Sequence, residues 1–309
     1  MFRRILTPLD GSTLSEGILP YVRALAPAFG ARVALLRTYE DMTHELTFRD
    51  NADLTSITTA LEPLARRLHN EAEDYLVKVS RGLQELDIAT DIAVRSGPTA
   101  IHIVNEAETV NGTLVAMSTH GRTGIGRWIM GSVTDRVLHT TTAPLLVVHP
   151  ERGAPSVDST AEIRTLIVPL DGSELAETVL PVAAEVAKAT GAKILLMESV
   201  GVPSGYYPEE DTSGITGVSI VSDMEDQAEE YLGIKAGELR DQDAANVDTV
   251  VSRGSAAAEI EELARATPDS MIIACTHGRS GVGRAVLGSV IDRLARHSGH
   301  PALIVRAPQ

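Results

Sequence analysis

The chain has 309 residues, 43% of them hydrophobic and 22% charged, a composition that suits two globular cores. A formal net charge of −15 argues against non-specific binding to DNA, RNA or anionic membranes, and 3% aromatics leaves little for a single-strand stacking surface. The single cysteine, Cys275, excludes an intramolecular disulfide and a multi-cysteine zinc site.

In chain order, residues 4–8 are a short apolar run ended by Asp10-Gly11-Ser12, hence a strand and a turn. Residues 14–29 have helical spacing, with Ser12 as N-cap, Glu16 in the first turn, and Pro20 either kinking the helix or marking its start. A second strand is expected over 32–38, a long amphipathic helix over 62–86 and a third strand over 88–94. A helix over 99–108, a strand over 113–117, a helix over 132–140 and a strand over 144–148 complete the first half.

The second half repeats the first. Ile5 to Ser12 aligns with Leu166 to Ser173, and Thr119-His120-Gly121-Arg122 with Thr276-His277-Gly278-Arg279. Gly97 matches Gly254, and Gly131-Ser132-Val133 matches Gly288-Ser289-Val290. The register between copies changes within the variable stretches 39–68 and 200–222. Strands are expected again over 165–168, 193–197, 247–251, 271–274 and 302–305. A unit of this length is a duplicated domain, not a solenoid repeat. The expected division is domain 1 at 1–150, a polar linker at 151–163 and domain 2 at 164–309.

Alternating strands and helices with near-continuous apolar strands predict an α/β fold: two tandem doubly wound domains, each a parallel sheet covered on both faces. In such sheets a ligand sits at the carboxyl ends of the strands, where the strand order reverses. The loops after strands one and four are therefore the candidate site. Charge is uneven as well: residues 1–150 carry 14 Lys+Arg against 17 Asp+Glu, and residues 164–309 carry 12 against 22. That acidic excess is read as a solvated face. Arg3 and Arg4 are followed by too short an apolar run for a secretory signal, and no run approaches the ~20 residues of a membrane span. The expected compartment is the cytoplasm, with no nucleic-acid or membrane partner.

The strand-four loop is glycine-rich in both copies, with Gly121, Gly124, Gly126 and Gly131 in one and Gly278, Gly281, Gly283 and Gly288 in the other. Such glycines let backbone approach a ligand closely, and the helix that opens at the Gly-Ser pair offers free N–H groups to an anion. Ser132 and Ser289 are either hydroxyl donors to a phosphate or plain N-caps. The loop is neither a P-loop nor the dinucleotide fingerprint, because Ile129 stands where the third glycine would be. Spacing alone stops at a phosphate or nucleotide cradle.

The whole constellation resembles the universal stress protein family. The matching residues are Pro8, Asp10, Gly11 and Ser12 at strand one, His120-Gly121-Arg122 at strand four, and Gly121 followed after nine residues by Gly131-Ser132. Both copies match, over nearly the whole chain outside the linker. The resemblance implies a five-stranded parallel sheet of the adenine nucleotide alpha hydrolase-like type in each domain. It further implies ATP or another adenine nucleotide, with Mg2+ as an accompanying ion. The family motif Gly-x-x-Gly, nine residues, Gly-[Ser/Thr] has Ser118 and Cys275 at its first glycine here, Gly121 and Gly278 at its second, and Gly131-Ser132-Val133 and Gly288-Ser289-Val290 at its close. By the same resemblance Asp10 and Asp171 lie against adenine or ribose, the alternative being turn residues. Thr38 and Ser199, at the end of strand two, border the adenine.

His120 and His277 lack Asp, Glu or Cys at metal spacing in both copies, so a backbone-bonding or nucleotide-adjacent role is expected. Arg122, Arg127, Arg279 and Arg284 are either phosphate partners or solvated charges. Cys275 is either a thiol made acidic by a helix N-terminus and arginines, or a small buried residue ending strand four. Trp128, with Ala285 as its counterpart, is read as packing or interface. No activated nucleophile or general base can be named. Three functions follow: a nucleotide-binding regulatory protein of the stress response with an unknown protein partner, a slow ATP hydrolase, or a nucleotide-independent interaction module. The resemblance also implies an intrachain pseudo-dimer through the fifth strands, 144–148 and 301–305, with a homodimer of whole chains as a further assembly.

Overall fold

A computed structural model of the chain describes residues 1–40, 54–119, 130–149, 156–201, 217–242, 246–276 and 288–307. Two compact units divide it, Met1–Ala161 and Glu162–Gln309.

The first unit runs β1 (Arg4–Pro8), α1 (Thr13–Glu16), α2 (Leu19–Phe29), β2 (Arg32–Tyr39), α3 (Leu54–Gln84) and β3 (Thr90–Ser96). It continues with α4 (Thr99–Glu108), β4 (Thr113–Ser118), α5 (Ser132–Thr140) and β5 (Leu145–Val148). Its sheet has the order β3-β2-β1-β4-β5 and every pairing is parallel. Leu6 lies opposite Ala34 on one side and Val115 on the other, so β1 is central. Ile5, Leu6, Leu35, Leu114 and Leu146 are fully enclosed, because helices cover both faces of the sheet. Burying each such side chain contributes roughly 1.5–3 kcal/mol.

The second unit runs β6 (Thr165–Leu170), α6 (Glu174–Glu177), α7 (Leu180–Thr190), β7 (Lys193–Val200), α8 (Gly217–Asp241) and β8 (Val247–Arg253). It closes with α9 (Ala256–Ala266), β9 (Ser270–Thr276), α10 (Ser289–His297) and β10 (Ala302–Arg306). Its strands take the corresponding order β8-β7-β6-β9-β10, again all parallel. Each unit is thus a doubly wound five-stranded domain, as expected. Among the described residues no helix is long and apolar enough to cross a membrane.

Two expectations are corrected in detail. The helix expected over 14–29 is two helices, α1 capped at Gly17 and α2 opening at Leu19. Pro20 lies in the first turn of α2, where its missing N–H costs no intrahelical bond; further inside it would break the helix. The third strand starts two residues later than expected. Asp87 takes a positive φ of 58° and the Ile88 N–H bonds back to the Leu83 carbonyl, so Ile88 closes the helix instead of opening the strand. The segment following residue 155 folds back on its own unit. The Arg23 guanidinium donates to the carbonyls of Val157 and Ser159, and the Ala161 N–H to that of Pro20.

Candidate functional site

The order reverses at β1. The chain crosses from β1 to β2 on one side, and β4 enters on the other, so the carboxyl ends of β1 and β4 flank a crevice. The turn after β1 is built by side chains. Asp10 accepts, through Oδ1, from the Ser12 N–H (2.9 Å) and the Ser12 hydroxyl (2.7 Å). Ser12 in turn caps α1 by accepting from the Ser15 N–H at 3.1 Å. Gly11 sits between them at φ +87°, a conformation that favours glycine. The second unit repeats this. Asp171 Oδ1 accepts from the Ser173 N–H (3.1 Å) and hydroxyl (2.5 Å), and Ser173 accepts from the Ala176 N–H (3.1 Å). Asp10 is half-buried and Asp171 is exposed. Both aspartates build turns; one carboxylate oxygen of each is committed to that task.

Across the crevice, β4 ends at Ser118 and α5 begins at Ser132. The N-caps are Gly131 and Gly288, so the alternative that Ser132 and Ser289 are N-caps falls: each is the first helical residue, exposed at the helix N-terminus. Val133 and Val290 follow, partly exposed. The first-turn N–H groups of both helices have no intrahelical acceptor and point out of the N-terminus. In the first unit the cradle is tight. The Gly131 N–H donates to the Thr119 carbonyl at 2.7 Å, and a Cβ on Gly131 would lie 2.9 Å from that same oxygen. At Gly288 a Cβ would meet nothing within 4 Å among the described residues. Ser118 is 6% exposed, its carbonyl accepts from the Thr134 hydroxyl at 3.0 Å, and its own hydroxyl has no partner among the described residues.

Cys275, the counterpart of Ser118, is within β9 and half-buried. Its sulfur lies 2.9 Å from the Thr178 hydroxyl. Of the two readings of Cys275, the small buried residue ending its strand holds and the acidic thiol does not: burial pushes the thiol up, and its hydrogen bonds only partly offset this. Thr38 and Ser199 stand at the carboxyl ends of β2 and β7. Thr38 shares a 2.6 Å hydrogen bond with the Thr99 hydroxyl, and Ser199 donates to the Gly254 carbonyl at 3.0 Å. Their hydroxyls are thus occupied, leaving backbone groups to border a ligand. His120, Gly121, Arg122, Arg127, Trp128, His277, Gly278, Arg279 and Arg284 lie outside the described residues.

Sequence reading missed a second layer of charge at the same ends. The Tyr75 hydroxyl, from α3, donates to Glu16 at 2.8 Å, and that of Tyr231, from α8, to Glu177 at 3.1 Å. Burial first and the carboxylate second push both phenols up, so both stay protonated donors. Arg37 stacks over the Tyr75 ring at 4.7 Å from its centroid. Its counterpart is Glu198, whose carboxyl is pushed up by burial and then by the charge of Asp171. The signal was available: aligning the two copies pairs Glu16 with Glu177 and Arg37 with Glu198, and the local match of Ala72 to Leu76 with Ala228 to Leu232 pairs Tyr75 with Tyr231.

A doubly wound domain with this crevice, twice over, defines the class. The model of the Universal stress protein family matches residues 1–149 and again 162–306. The chain belongs to that family as a tandem two-domain member. A universal stress protein of Mycolicibacterium smegmatis is 22% identical over 306 residues, covering 98% of this chain and 96% of that one. Universal stress protein MJ0577 of Methanocaldococcus jannaschii is 26% identical over 156 residues, 48% of this chain and 95% of that protein. In structure, a universal stress protein of Archaeoglobus fulgidus superposes with a TM-score of 0.67 at 18% identity, over 98% of both chains, which speaks for the fold.

Proposed function

We propose that the chain is a regulatory protein of the stress response that holds an adenine nucleotide, ATP in the first instance, at the carboxyl ends of strands one and four. The observation that carries this is the pairing of an aspartate turn with a glycine-capped helix N-terminus across the strand-order reversal. The aspartates, Asp10 and Asp171, close their turns through Oδ1 with Ser12 and Ser173, which sets each carboxylate at the crevice where a ribose or adenine would lie. The N-termini of α5 and α10 present N–H groups and the Ser132 and Ser289 hydroxyls to the phosphates. Ser118, Thr38, Cys275 and Ser199 border the same crevice, and His120, Gly121, Arg122, His277, Gly278 and Arg279 supply its loop. Mg2+ would accompany the phosphates. The working units are domain 1 at 1–150 and domain 2 at 164–309, joined by the linker at 151–163, and the halves pair as a pseudo-dimer through their fifth strands.

Ser118 and Cys275 at the first motif glycine favour a second reading, a module that recognises a protein partner without nucleotide. One experiment separates them. Protein purified without added nucleotide is denatured and the released adenine nucleotide is quantified by mass spectrometry, then apoprotein is titrated with ATP. Released or titratable ATP that falls by about one equivalent per chain in the double variant Asp10→Ala/Gly121→Val supports the first reading. No nucleotide by either route supports the second.

A further inference from the structure

The two crevices have the same turn and the same helix, but opposite charge beside the turn. In the first unit Pro8 of β1 lies opposite Leu36 of β2, and the next residue is Arg37. The Arg37 guanidinium reaches under the turn. Its atoms lie 3.1–3.3 Å from where a Cβ on Gly11 would stand, next to Asp10. Arg37 and Asp10 both act electrostatically on the Tyr75 hydroxyl, which places cation and carboxylate in one neighbourhood. In the second unit Leu170 lies directly opposite Glu198. Glu198 Oε2 is buried without a partner among the described residues, and the charge of Asp171 acts on it. Among the described residues no cation takes Arg37's place there. Lys235 Nζ, the near candidate on α8, is drawn to Glu177 at 2.9 Å and Glu238 at 3.3 Å. The long-range field runs the same way, with 12 Lys+Arg against 22 Asp+Glu over residues 164–309 and 14 against 17 over residues 1–150.

We infer that the two sites are not equivalent: the first domain takes the anionic nucleotide, and the second rejects a polyphosphate because Glu198 stands where Arg37 does. The inference rests on the nucleotide reading above. Arg37 offsets Asp10, so a phosphate chain approaching the first crevice meets a balanced pair. In the second it meets Asp171 with a second carboxylate behind it. A unit charge about 8–10 Å away at an effective dielectric near 20 shifts the affinity for one opposed charge on the order of tenfold. Exchanging a cation for an anion acts twice in the same direction.

Calorimetric titration of the full chain with ATP at low salt tests this, with circular dichroism melts to show that each variant is folded. The expected wild-type result is one site per chain. Arg37→Glu weakens that site at least tenfold, with Arg37→Gln between the two. Glu198→Arg creates a second site, and Glu198→Gln, the milder change, moves the second domain partway. Higher salt narrows all these differences, which a merely structural effect would not do. Two equal sites in the wild type, an Arg37→Glu variant that binds as before, or Glu198 variants that remain at one site would overturn the inference while leaving the nucleotide reading intact. No binding by the wild type or any variant would overturn the nucleotide reading itself.

Discussion

Within each domain the strand-one turn lies beside the end of strand two, yet duplication has treated the two places differently. Asp10-Gly11-Ser12 and Asp171-Gly172-Ser173 make the same bonds at nearly the same lengths. Arg37 and Glu198, one strand away, carry opposite charge. The turn depends on contacts within a few residues: a positive φ at glycine, an aspartate that closes the turn and a serine that caps the helix. Any change there costs the fold. Position 37 or 198 is half-buried at a strand end, where packing accepts either side chain. Architecture is therefore held in common while the electrostatics of the site diverge.

That comparison can be broken first at the helix N-termini. Gly131→Ala and Gly288→Ala both replace a glycine cap, so the difference between them reports the local space. At Gly131 the new Cβ meets a backbone carbonyl at 2.9 Å, and at Gly288 it meets no atom of the described residues within 4 Å. Gly131→Ala is expected to destabilise its domain by about 1–3 kcal/mol more than Gly288→Ala does, as overpacking does elsewhere. Urea unfolding of the two variants checks it; equal losses would mean the first cradle is no tighter than the second.

A smaller effect, and one that should be equal in the two domains, is expected at the caps. Ser12→Ala and Ser173→Ala each remove a side-chain bond to a helix N–H and the anchor of an aspartate. Each should cost about 1 kcal/mol. Thermal melts that differ strongly between these variants would show that the turns are less alike than their geometry.

The smallest effect separates the domains by pH. Burial, and then the charge of Asp171, raise the proton affinity of Glu198 in the fold. A raised folded pKa contributes stability that is present below the ordinary carboxylate range and is lost as pH rises through the raised value. Charged Glu198 therefore opposes folding at neutral pH. Glu198→Gln should raise the melting temperature by about 1–2 °C near neutral pH and by less in acid. Arg37→Gln should show no gain over the same range, because a guanidinium does not titrate there. A gain for Glu198→Gln that is larger in acid would reverse the assigned sign.

Much of this architecture could be read from residues alone. The duplication, the five strands of each copy and the helices Thr99–Glu108 and Ser132–Thr140 follow from apolar periodicity and glycine placement, which are local signals. Boundaries slipped where a tertiary or capping contact decided them, as at Pro20 and Ile88. Of the site, the aspartate turns and the glycine-serine helix starts were readable, since each is a short motif. The role of Ser132 needed the observation that the preceding glycine is the cap. For Cys275 the sequence left two readings open, and the choice between them rests on burial and the Thr178 contact, which come from elements distant in sequence. Arg37, Tyr75, Glu198 and Tyr231 were missed for the same reason: their meaning comes from helices α3 and α8 packing against the strand ends.

The most direct measurement is a crystal structure of the chain grown with a non-hydrolysable ATP analogue. The expected result is an analogue in the first domain, its phosphates at the N-terminus of α5 and its ribose or base beside Asp10, with the crevice beside Asp171 and Glu198 free of it. An analogue bound alike in both domains would contradict the asymmetry, and one bound away from both aspartate turns would contradict the site.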